Sequence, residues 1–198
     1  MLHMLDQRLR AAHVWVLNGL AIALFAGLSL ASTRAMPEML HYRCPIGLCP
    51  SGYPPETARR FFAEIGPKGR DFLAQTFTPF DYVLPVLLAI ALAATLAYYT
   101  RPASAGGRLA LGAGWRWTLL ALPLLYCGAD LAENVAVSRM LAEHAAISDQ
   151  LAHRASLLTA AKSQLVAAAI GFAAVFVALS WVLPAPSAGR GAERDKVH

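Results

Sequence analysis

Asp130, Glu133 and Asn134 stand inside an otherwise apolar run that extends from Tyr126 to Val137. On a helix the spacings i, i+3 and i+4 put all three on one face. Two carboxylates and an amide this close can anchor a cation, hold a shared proton, or serve as general acid and base. Other groups could complete such a site. Lys162 and Gln164 open a second apolar run, and Asp81 and Tyr82 open a third. Ionisable groups at membrane depth are costly and by default mark function. Polar residues in membrane helices also act as interhelical glue, which is the competing reading.

The elements that must position these groups follow from composition. Hydrophobic residues make up 57% of the chain and charged residues 15%, against about 25% charged in ordinary soluble domains. Ala11–Thr33, Tyr82–Thr100 and Ser163–Gly189 contain no Asp, Glu, Lys or Arg, and Trp117–Ser138 contains only Asp130 and Glu133. About 20 apolar residues cross a hydrocarbon core roughly 30 Å thick. The expectation is an all-α integral membrane four-helix bundle with spans at about 14–33, 81–100, 117–138 and 160–183. The first stretch exceeds the usual signal-peptide core of about 7–15 residues and reads as a span. Segment 184–198, short and polar with Pro and Gly, reads as a disordered tail.

Four spans place both termini on one side and loop 34–80 on the other. Arg and Lys are equally numerous on the two sides but denser beside the termini. That density assigns the termini to the cytoplasm of a bacterial inner membrane. Trp15, Trp115, Trp117 and Trp181 then share the inner surface, as an aromatic belt should. The net charge of +5 is spread over the flanks, with no nucleic-acid-binding motif. No metal or cofactor is expected.

Loop 34–80 carries Cys44-Pro-Ile-Gly-Leu-Cys49. A small disulfide loop, two free thiols, or a metal site with His41 are the readings, and the metal site lacks a fourth ligand. Pro54-Pro55-Glu56 starts a helix and Gly66-Pro67 stops it. Between them Ala58, Phe61, Phe62 and Ile65 form an apolar face. A second short helix is expected over Gly69–Phe77, both lying at the membrane interface. This loop is either a lid over the bundle or a connection packed on its outer end.

Depth unites the polar groups. At about 1.5 Å per residue, Asp130 lies roughly 21 Å from Arg116, and Lys162 roughly 31 Å from Leu183. Asp81 opens its span at the same outer level. Lys162 is expected to pair with Asp130 or Glu133, with the Asn134 amide bridging them.

The stretch from Gly52 through Arg70, with Phe80-Asp-Tyr-Val-Leu-Pro85 and Asp130-x-x-Glu133-Asn134, resembles a group of small bacterial four-span integral membrane proteins. That resemblance implies architecture and no chemistry. Quinone-linked disulfide oxidoreductases share the span count but need C-x-x-C, where this chain has C-x4-C. Three functions stay open. The first is binding of a small lipid-like or cationic molecule. The second is acid–base catalysis on a lipid-soluble substrate. The third is an accessory subunit docked on another membrane protein.

Overall fold

The computed structural model describes residues 9–36, 46, 49–102, 109 and 111–183. The proposed tail, 184–198, lies outside the described residues, as do His41 and Cys44. The described chain is all-α, with no strand. Its helices are α1 (Ala11–Ala35), α2 (Pro55–Glu64), α3 (Gly66–Tyr99), α4 (Ala113–Ala142) and α5 (Asp149–Val182). All except α2 are long and apolar enough to cross a membrane. The chain is a multi-pass membrane protein built as a four-helix bundle.

Local chemistry accounts for the helix ends. Pro55 takes the first turn of α2, where its missing N–H is no loss, and Glu56 complements the helix dipole there. Gly66, at φ 63°, makes the left-handed turn that ends α2 and opens α3. The Ser148 hydroxyl caps α5 by accepting the Leu151 N–H.

α3 departs from expectation. The sequence suggested a separate short helix at Gly69–Phe77 and a span from residue 81, but the helix runs unbroken from Gly66. A widened turn over Leu73–Phe77, closed by Thr78 N–H to the Leu73 carbonyl, comes just before Pro79. Proline has no N–H to close a regular turn, and the wider turn carries the chain past it. At 34 residues α3 is roughly 51 Å long. It therefore extends well beyond the roughly 30 Å hydrocarbon core.

The helices pack in sequence, α1 on α3, α3 on α4 and α4 on α5, with α3 also reaching α5. α1 leans on α3 and makes little approach to α4 or α5. The half of the bundle nearer Trp15 and Trp181 is filled by Leu92, Leu96, Leu119, Ala169 and Ala173. There Asn18 donates to Thr95 Oγ1 at 2.9 Å, tying α1 to α3. Trp15, Trp115, Trp117 and Trp181 are all exposed at this end, where lipid headgroups would meet them.

A second core caps the opposite end of the bundle. α2 buries Ala58, Phe61, Phe62 and Ile65 against Met36, Met140, Ala152 and Ala155. The Phe61 and Phe62 rings meet edge to face, 5.3 Å apart. Arg59 donates to the Ile147 carbonyl at 3.1 Å and pairs with Asp149, fixing α2 to the start of α5. α2 is thus a roof over the bundle rather than a helix lying on the membrane surface. Its approach is latched at Gly52-Tyr53. The Tyr53 N–H donates to Ser156 Oγ at 2.8 Å. Gly52 has φ 76°, and a Cβ there would lie 2.5 Å from the same oxygen.

Candidate functional site

α4 contributes Asp130, Glu133 and Asn134 from one face, all buried. α5 contributes Lys162, whose Nζ donates to Asp130 Oδ1 at 2.6 Å and ion-pairs with Glu133. One ammonium therefore bridges both carboxylates. Glu133 is the more enclosed, at 1% exposure. It also accepts the Thr159 hydroxyl from one turn earlier on α5. The Tyr126 hydroxyl, one turn before Asp130, faces the Asp130 carboxylate.

The cap reaches this cluster through Tyr53. Its hydroxyl lies beside Thr159 and within the field of Glu133. Burial first, and the Glu133 charge second, hold that hydroxyl above the usual tyrosine range. Tyr53 therefore stays protonated and offers a donor. Thr159, Glu133, Lys162 and Asp130 form a connected chain of hydrogen bonds and ion pairs. The Tyr126 hydroxyl lies beside one end. Beside the other is the Tyr53 hydroxyl, which has no hydrogen-bond partner among the described residues.

Asn134 acts elsewhere. Its side chain does not bridge Lys162 and the carboxylates, as the spacing suggested, but donates to the main-chain carbonyl of Asp81 at 2.7 Å. The reason lies four residues along α3. Pro85 has no N–H, so the Asp81 carbonyl lacks its helical donor. Asn134 supplies the missing bond and joins α4 to α3 at the level of the cluster.

The polar groups end a cavity of about 670 Å³, within the roughly 300–1,000 Å³ typical of small-molecule sites. Phe25 and Leu28 of α1, Leu84 and Leu88 of α3, and Val166 and Ile170 of α5 make its apolar walls. Ile46 and Phe61 close it from the cap side. Asp81, Asp130, Glu133, Asn134 and Lys162 supply its polar end. α1 makes few contacts with α4 or α5, so the cavity lies between α1 and the rest of the bundle.

Two expected members are not brought in. Gln164 is exposed on the opposite side of α5, since two residues of helix rotate it about 200° from Lys162. Tyr82 is half-buried and outside the cavity wall, one position round α3 from Asp81. Cys49 is disulfide-bonded, and Cys127 is free. Four residues escaped the sequence reading. Thr159 and Tyr126 were accessible in principle, one helical turn from Lys162 and Asp130. Ser32 and Tyr53 carried no local signal.

No protein-family model matches the chain, and neither a curated protein nor a solved structure shows significant similarity to it.

Proposed function

We propose that this protein takes up a small amphiphile from the bilayer, with its apolar body in the cavity and its polar head at the Asp130–Glu133–Lys162 cluster. The supporting observation is the cavity itself, whose apolar walls lead to buried charge. The sparse contacts of α1 with α4 and α5 support a lateral entrance beside α1. A lipid-soluble molecule enters there without crossing water. The density of basic residues near the termini supports an extracytoplasmic position for this site in a bacterial inner membrane.

A catalytic reading has one specific support, the buried chain from Thr159 through Glu133 and Lys162 to Asp130. A buried path of this kind can carry a proton to or from a bound molecule. Binding comes first in either case.

Mass spectrometry of lipids retained by the purified full chain tests the binding reading. One lipid class should be enriched over the bulk membrane. Val166→Trp, which fills the cavity, should lose that enrichment while keeping wild-type helicity. Retained lipid that mirrors the bulk in both proteins would refute the reading.

A further inference from the structure

We infer that the head group received in the cavity is a protonated amine, held by the Asp81 carboxylate and the Ser32 hydroxyl. This rests on the binding reading above and narrows it to cationic amphiphiles.

The charge count points there. Three carboxylates line the cavity, from Asp81, Asp130 and Glu133, and Lys162 is the one ammonium among the described lining residues. Asp130 and Glu133 already share Lys162. The Asp81 carboxylate makes no hydrogen bond or ion pair among the described residues, although Lys162, Asp130 and Glu133 all lie within electrostatic reach. The cavity thus carries a surplus of negative charge, and Asp81 is where it is unspent. Asp81 is also held in place, because Asn134 grips its main-chain carbonyl.

Ser32 is the independent observation. It is 5% exposed on α1 and lines the same cavity, and its Oγ has no hydrogen-bond partner among the described residues. A buried hydroxyl without a partner is costly, and a ligand that satisfies it recovers the loss. Asn18 of α1 is hydrogen-bonded to Thr95 of α3. Ser32 stands fourteen residues along α1 from Asn18, and Asp81 fourteen residues along α3 from Thr95, each roughly 21 Å. The two residues therefore occupy one level on neighbouring helices.

An ammonium has three donors and no acceptor. It can give one hydrogen to the Asp81 carboxylate and another to Ser32 Oγ, and its charge offsets the surplus. An alcohol has a single proton to donate and brings no charge. An anionic head meets repulsion from three carboxylates.

Radiolabelled dodecylamine bound to the full chain in phosphatidylcholine nanodiscs tests this, with unlabelled dodecylamine, dodecanol and dodecanoate as competitors and empty nanodiscs as the blank. Dodecylamine should compete at a mole fraction about 10- to 100-fold lower than dodecanol, the range expected for charge-assisted hydrogen bonds. Dodecanoate should compete least. Asp81→Asn should close the gap between amine and alcohol, and Ser32→Ala should weaken the amine several-fold. If dodecanol competes as well as dodecylamine, or if Asp81→Asn leaves the gap intact, the amine assignment is wrong and the cavity still binds amphiphiles. The wild-type head-group comparison needs no variant, so a misfolded Asp81→Asn protein does not rescue the idea. If no probe saturates, or if Val166→Trp binds all three as wild type does, the binding reading falls as well.

Discussion

Lys162→Met isolates what the bridging ammonium does for the bundle. In the native protein the lysine side chain is 13% exposed, and its partners Asp130 and Glu133 are 7% and 1% exposed. Methionine keeps the length and apolar stem but removes the charge. Two carboxylates then remain buried with no cation between them. Removing one partner of a buried ion pair typically costs about 3–5 kcal/mol, mostly because the other charge is stranded. The triple variant Asp130→Asn, Glu133→Gln, Lys162→Met removes the stranded charges too. It should return to within about 1–2 kcal/mol of wild type, since apolar or neutral replacements of buried ion pairs are often tolerated. Asp130→Asn alone should cost only about 1 kcal/mol, because Glu133 keeps its ammonium and the amide oxygen still accepts. Unfolding by SDS titration in mixed micelles, followed by the fluorescence of the four tryptophans, reads all three. A Lys162→Met protein within about 0.5 kcal/mol of wild type, the range of a surface substitution, would mean the bridge is not formed. A triple variant as unstable as the single one would mean that the damage is packing, not charge.

Asn134→Leu should cost about 1 kcal/mol by stranding the Asp81 carbonyl. Combining it with Pro85→Ala should recover most of that loss, because the alanine amide can close the helical bond. A double-mutant cycle with no coupling would refute the assignment. Gly52→Ala should weaken the latch by about 2 kcal/mol, from the left-handed backbone and the collision with Ser156. Faster trypsin cleavage at Arg59 and Arg60, with the spans still protected, would show it. Thr159→Val should cost about 1–2 kcal/mol by taking a donor from the most buried carboxylate. Wild-type stability in the same SDS titration would rule out that hydrogen bond.

The roof and the cavity share residues. Phe61 belongs to the cap core and also closes the cavity. Tyr53 belongs to the latch and also reaches Thr159. On the proposed reading, a ligand that fills the cavity would touch the cap directly through Phe61.

Sequence alone determined the number of long apolar helices, the shared face of Asp130, Glu133 and Asn134, and the apolar side of α2. Each follows from hydrophobic run length or from the helical period, which are local properties. It also put Asp81 and Lys162 at one depth, because rise per residue is constant. Only the tertiary structure decided which way each helix is rotated. In a membrane span the lipid face and the packed face are both apolar, so periodicity does not tell them apart. That is why Gln164 could be grouped with Lys162 yet point away, and why Ser32 gave no hint that it faces the cavity. The partner of Asn134 depended on a proline vacancy on another helix, and the freedom of Asp81 depended on Lys162 being occupied elsewhere. Such facts arise when helices meet at a given angle and register, and no single helix carries them in its pattern.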